Sequence, residues 1–193
     1  MTLPDINQWM LVYLRAVALL TVFPLFSMAN IPVKMRLGLA AMLALLVSPA
    51  LPRAVPWPDT LLGTVGLMAM EIGIGLTLGF ICRMVFFVLE FAGGVISMEA
   101  GLNMAVLLSP VGQGRSEVPG MLLFYLGALM FLSLDLHHWL LLGFQSTYQV
   151  LPPGGARIEG SLIEDPIQRT GQVFLGGLLM AAPIIAVSFL INL

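Results

Sequence analysis

Apolar periodicity runs from Leu61 to about Leu108 with no polar segment to interrupt it, and that run limits what the chain can fold into more than any other feature. As a single helix it would extend roughly 70 Å at 1.5 Å per residue, whereas the hydrocarbon core of a bilayer is about 30 Å thick. The run is therefore expected to bend, break or double back near Gly73 and Gly75 or at Gly93-Gly94, or else to leave the bilayer clothed by partner subunits. Water alone cannot receive it. Of 193 residues, 59% are hydrophobic and only 9% charged, with a mean hydropathy of +1.01, whereas soluble domains carry about 25% charged residues. The expected fold is all-α, an integral membrane protein of kinked helical hairpins forming a single membrane-embedded domain over residues 1–193. A net charge of -2 points to neither nucleic acid nor a strongly charged substrate.

At about 100° per residue, Gly75, Gly79, Arg83, Glu90, Gly93, Ser97, Gly101 and Ala105 share one broad helical stripe, with Glu99 and Asn103 on the opposite side. Small residues let a neighbouring backbone come close, which matters in lipid, where packing drives helix association. Gly75, Gly79, Gly93, Ser97 and Gly101 are thus candidates for subunit packing, and the plainer reading is that they pack one hairpin within its own bundle. Charges at membrane depth are costly and face an interior, a cavity or a partner. The candidates are Arg15, Glu71, Arg83, Glu90 and Glu99. Arg83 and Glu90 lie two turns apart, about 10 Å along the axis, too far to pair directly, so each is expected to meet another helix or subunit.

Ahead of this run, Asp5 with Gln8 resembles a helix N-cap and its reciprocal partner, opening 21 apolar residues from Trp9 to Ala29 with Arg15 in the middle and a kink expected at Pro24. No basic residue precedes it, which argues against a cleaved signal peptide. Asn30 to Arg36 is a short basic turn, Met35 to Leu51 a second apolar run, and Pro52 to Asp59 a stiff connector with Trp57 suited to a membrane interface. Residues 1–107 thus read as helical hairpins.

The sharpest break in composition is Leu108 to Gly120. Leu108, Ser109, Pro110, Val111, Gly112, Gln113, Gly114, Arg115, Ser116, Glu117, Val118 and Pro119 cannot continue a helix, and Arg115 with Glu117 is too polar for lipid. Such a loop is a connector or a closure element. Met121 to Leu151 is again too long for one straight span and holds Asp135, His137 and His138 in its middle. Adjacent histidines are expected on different helix faces and no third ligand cluster appears, so a local break or a polar contact is expected there rather than a metal. Pro152 to Thr170 is a polar segment ending in a helix start at Asp165-Pro166-Ile167-Gln168, and the helix beyond it, kinked at Pro183, reaches Leu193 while still apolar, as a truncated product would. The lone Cys82 excludes an internal disulfide, and lysine and arginine are too evenly spread to orient the chain. No nucleotide, zinc-protease or hydrolase motif is present. The expectation is a protein without enzymatic activity or cofactor.

Three stretches carry a resemblance: PLFSMANIPVKMRLGLAAMLALLVSPALP, then EIGIGLTLGFICRMVFFVLEFAGGVISMEAGLNMAVLLSP, then FLSLDLHHWLLLGFQSTYQVLPPG. Their order, spacing and character resemble the FliR family, the flagellar members of the type III secretion export gate, whose injectisome relatives are called SctT. LSLDLHH and MEAGLNMA lean to the flagellar side. The resemblance implies an all-helical subunit in the bacterial inner membrane at the flagellar basal body, built with FliP and FliQ and associated with FlhB, through which unfolded flagellar proteins pass. It also implies a FliP-like hairpin region followed by a FliQ-like one, a partly supramembrane cone, and a plug at Leu108 to Pro119. The family continues beyond the position of Leu193 through a further hairpin. The rival is a stand-alone small-solute or ion secondary transporter using Arg15, Glu71, Arg83, Glu90 and Glu99 as its polar path.

Overall fold

A computed structural model describes residues 6–27, 31–51, 57–99 and 118–153, together with helical positions Leu179, Ala182, Pro183, Ile185 and Ala186. Among the described residues every regular element is a helix. In chain order these are α1 (Ile6–Val22), α2 (Pro24–Ser27), α3 (Val33–Val47) passing into a 3-10 turn (Ser48–Ala50), α4 (Leu61–Glu99), α5 (Val118–Ser133) and α6 (Leu136–Val150). The chain forms two compact units, one from Met1–Arg83 with Leu136–Leu162 and the other from Met84–Asp135 with Ile163–Leu193. Helix α4 contributes to both.

In the first unit, α1 ends at Val22, two residues before Pro24, which lacks the N–H that an unbroken helix would need. Phe23 makes the bend: its N–H still donates to the Leu19 carbonyl at 2.9 Å, while its own carbonyl accepts from Phe26 and Ser27 at 3.1 and 2.9 Å and so starts α2. The kink expected at Pro24 is thus a one-residue break. Val12, Ala16, Leu19 and Leu20, spaced for one helical face, bury against Ala40 and Ala44 of α3 and Phe144 and Tyr148 of α6. Two alanines one turn apart bring α3 close to that face. The Gln8 amide donates to the Ser48 carbonyl at 3.0 Å, a second donor beside the Leu51 N–H at 3.3 Å, and so ties the start of α1 to the end of α3. The other side of α3, with Met35, Met42, Leu45 and Leu46, is exposed and apolar. Val33–Ala50 is long and apolar enough to cross a membrane.

In the second unit, Phe86 of α4 sits against Phe124 and Phe131 of α5, ring centroids 5.3 and 6.1 Å apart. Phe124 and Ala128 are buried, with Gly120 on the same side. A Cβ on Gly93 would collide with the Gly120 backbone and lie 2.8 Å from the Pro119 carbonyl carbon, and one on Gly127 would meet the Leu89 side chain. Glycine faces glycine where α4 and α5 cross.

Helix α4 is one uninterrupted helix of 39 residues, about 58 Å long, so of the alternatives open in the sequence a break at Gly73, Gly75 or Gly93-Gly94 does not occur. Gly75 and Gly93 serve as contacts with other helices, whereas nothing lies within 4 Å of a Cβ added at Gly73 or Gly94. Where no water competes for backbone groups, each peptide keeps its helical partner, and a missing side chain is used for approach. The break expected in the next apolar run is present, at Leu134 and Asp135 between α5 and α6, with Asp135 in the left-handed region at φ 56°, a conformation that aspartate tolerates better than most residues. Val118, Pro119 and Gly120, assigned to a loop on composition, are the first turn of α5, where proline's missing N–H costs nothing. Gly101, Asn103, Ala105, the loop from Leu108 to Glu117, and the cap and helix-start signals at Asp5 and Asp165 to Gln168 lie outside the described residues.

The glycines therefore divide into two classes. Gly75→Ala, Gly79→Ala and Gly93→Ala should each cost ~1–3 kcal/mol through overpacking, seen as a lower unfolding temperature in detergent. Gly66→Ala, Gly73→Ala and Gly94→Ala, where an added Cβ meets nothing within 4 Å, should be neutral or stabilising by up to ~1 kcal/mol.

Candidate functional site

Arg15 occupies the middle of α1 on the face that carries Val12, Ala16 and Leu19, so helical spacing alone directs a guanidinium into the first unit's core. Its exposure is 0% and that of Glu71 on α4 is 1%. Arg15 Nε donates to Glu71 Oε2 at 2.7 Å, Nη1 to Thr147 Oγ1 at 3.0 Å and Nη2 to the Leu151 carbonyl at 3.1 Å. The Thr147 hydroxyl donates to the Phe144 carbonyl at 2.7 Å, which leaves its oxygen free to accept from Arg15. The guanidinium carbon stands 3.9 Å from the centroid of the Tyr148 ring. Leu151 lies just past the carboxyl end of α6, where unpaired carbonyls carry partial negative charge. A single cation thus ties α1 to α4 and to the end of α6. Arginine suits this post because its planar fork addresses several acceptors at once.

One turn beyond Glu71, α4 rests on α1. A Cβ on Gly75 would strike the Arg15 carbonyl oxygen and lie 2.8 Å from Ala18 Cβ; one on Gly79 would lie 2.8 Å from the Leu19 carbonyl and 2.9 Å from Val22 Cβ. Gly75, Gly79 and Gly93 of the small-residue stripe each face another helix of this chain. Ser97 is buried beside them in register, with no hydrogen-bond partner for Oγ among the described residues.

The five charges separate into two groups. Arg15 and Glu71 neutralise each other in the core. Arg83, Glu90 and Glu99 are exposed, and neither Arg83 nor Glu90 has an ion-pair or hydrogen-bond partner among the described residues. Sequence reasoning placed a partner requirement on Arg15 without finding Thr147, Tyr148 or Leu151, which lie 132 or more residues away and share no spacing rule with it. The weak clue was the polar run Gln145 to Gln149 at the end of an otherwise apolar region. His137 and His138 differ from expectation: at the start of α6 their rings lie 4.3 Å apart, tilted by 35°, rather than on separate faces.

Replacing one member of the buried pair, as in Arg15→Leu or Glu71→Leu, should cost ~3–5 kcal/mol by stranding the other charge, whereas Arg15→Leu with Glu71→Leu should recover most of that loss. Tyr148→Phe should be close to neutral, since Tyr148 Oη has no hydrogen-bond partner among the described residues. Tyr148→Leu should lose ~2 kcal/mol of cation–π attraction. Thermal unfolding of the detergent-solubilised variants measures all five.

Residues 6–193 match the family model described as bacterial export proteins, family 1. The flagellar biosynthetic protein FliR of Escherichia coli (strain K12) is 30% identical over 190 residues, covering 96% of this chain and 72% of the relative. FliR of Caulobacter vibrioides is 32% identical over 184 residues, covering 95% and 73%, and FliR of Bacillus subtilis (strain 168) is 27% identical over 194 residues, covering 96% and 72%. This likeness overturns the stand-alone transporter as a reading, and two of the charges that reading relied on are spent on each other. With its described elements all helical and its apolar helices long enough to cross a membrane, the chain belongs to the FliR family of bacterial export proteins and is a membrane subunit of the flagellar export apparatus.

Proposed function

We propose that this chain is a non-enzymatic subunit of the gate through which unfolded flagellar proteins cross the inner membrane, built together with FliP and FliQ and in association with FlhB. The observation that carries the reading is the length of α4 combined with its surface. About 58 Å of continuous helix exceeds a hydrocarbon core of about 30 Å, yet Phe80, Val85, Phe87 and Met98 are exposed along it. Lipid can cover only about half of such a helix, and water is a poor cover for the rest. Other protein must clothe it, which is what a subunit of a larger helical assembly requires.

The segment Leu108 to Pro119 is the candidate closure element. A conduit wide enough for an unfolded chain leaks ions when idle unless something fills it. This segment follows α4 in the chain and ends in the first turn of α5, and its Arg115 and Glu117 make it too polar to rest in lipid. The reading needs no catalytic group in this chain, and transport energy is supplied elsewhere.

Deleting Val111 to Ser116 should leave the complex assembled while raising the conductance of reconstituted bilayers and the sensitivity of cells to salt. Conductance equal to wild type, in a deletion variant shown to assemble, would reduce the segment to a connector. Failure of the wild-type chain to co-purify with FliP and FliQ would end the gate reading itself.

A further inference from the structure

Helix α3 has two chemically opposite faces. The small Ala40 and Ala44 turn inward against α1, where close approach is what helix packing in lipid rewards. Met35, Met42, Leu45 and Leu46 are exposed and fall within about 100° of one another on the other side. From Val33 to Ala50 there is no acidic residue and no charge beyond Arg36. These 18 residues rise about 27 Å, close to the ~30 Å of a hydrocarbon core. Both charges stand at one end. Lys34 is exposed at the border of the apolar arc, with no hydrogen-bond or ion-pair partner among the described residues. Arg36 Nη2 donates to the Ile31 carbonyl at 3.2 Å, while its Nη1 has no partner among the described residues. The two cations lie about 3 Å apart along the axis and on different sides of it, so they mark one depth rather than one pocket.

We propose that α3 is where the chain meets lipid directly: its outer face lies against acyl chains, and Lys34, with Arg36 adding positive charge at the same depth, holds the phosphate of an anionic phospholipid. Three features select this occupant over a protein helix. The charges are of one sign and confined to one end, which complements an anionic leaflet. The apolar length matches a single hydrocarbon core. The residues turned outward are large and flexible, whereas Ala40 and Ala44 are already used within the chain. The lysine stem can lie along the apolar surface while its ammonium reaches the headgroup. An anionic leaflet attracts each nearby cation by about 1 kcal/mol, so each is worth roughly fivefold in preference for anionic over zwitterionic lipid. This contact needs no other subunit and is independent of the gate reading.

The test titrates the full chain in mild detergent with phosphatidylglycerol or phosphatidylcholine and follows its unfolding temperature. Phosphatidylglycerol should protect the wild-type chain at a concentration at least roughly fivefold lower than phosphatidylcholine. Lys34→Gln should cut that preference by roughly fivefold, and Lys34→Arg should keep it. Arg36→Gln should lower it as well. Because Arg36 also holds the Ile31 carbonyl, Lys34→Gln is the deciding variant. p-Benzoylphenylalanine at position 42, in the chain assembled in its native membrane, should cross-link to phospholipid. Equal protection of the wild type by the two lipids, an unchanged preference in Lys34→Gln, or the same protection by inorganic phosphate alone overturns the headgroup contact. Cross-linking to another protein instead of phospholipid overturns the assignment of this face to lipid. None of these results depends on whether the chain co-purifies with FliP and FliQ, so a failure here and a failure of the gate reading are told apart.

Discussion

A guanidinium with no exposed surface, in a chain that is 59% hydrophobic, is the constraint on which the first unit depends. Lipid offers Arg15 nothing, and an unpaired charge at that depth costs several kcal/mol. Every compensating group must therefore come from the protein, and the groups that answer come from α4 and from the end of α6. Buried pairs of this kind contribute little net stability compared with apolar packing of equal volume. Their effect is on which arrangement is allowed. A helix α4 rotated by one residue takes Glu71 about 100° away and brings Ile72 to the cation. The same rotation removes Gly75 and Gly79 from the α1 backbone, so charge and shape select one register.

The two sides of α4 are built for different neighbours. Its inner arc has glycine where other helices of the chain come closest, Gly75 and Gly79 against α1 in the first unit and Gly93 against Gly120 in the second. Its outer arc keeps large apolar side chains and two charges. Read from the sequence, Gly75, Gly79, Arg83, Glu90 and Gly93 formed one stripe, since they lie within about 80° of one another. The structure draws the boundary within that stripe. Spacing could not show it, because the glycines are read by steric approach and the charges by the absence of a local partner, and both require the positions of α1 and α5.

What was legible followed from composition and from proline. The hydrophobic content required helices in or beside lipid, Pro24 marked the end of α1, and Asp135 with its histidines marked the break between α5 and α6. The break that was one of the alternatives for α4 is absent for a physical reason. Glycine costs a helix only about 0.5–1 kcal/mol relative to alanine, too little by itself to interrupt a run of 39 helical residues. Pro119 misled in the opposite direction: proline ends helices when it follows them and opens them when it stands in the first turn, and only the contact with Gly93 shows which applies. The partners of Arg15 were beyond reach because helical periodicity relates residues a few turns apart, and Leu151 is 136 residues away.

That separation also orders how the molecule is completed. The first unit takes residues on both sides of the second, up to Arg83 and again from Leu136. Its central cation cannot be satisfied until Thr147 and Leu151 exist, after the segment Met84–Asp135 has been made. Contacts between distant segments reward the chain only after the loop between them has closed. Until then Arg15 must be met by water, by the biogenesis machinery or by Glu71 alone, so α1 cannot settle in lipid as an independent span. The residues that could serve as its anchor to the bilayer, Leu11, Val12, Ala16 and Leu19, are instead buried among other helices. A first helix of 17 residues that carries a buried arginine is thus built as the inner element of an assembly, with its membrane placement decided by the helices that close around it.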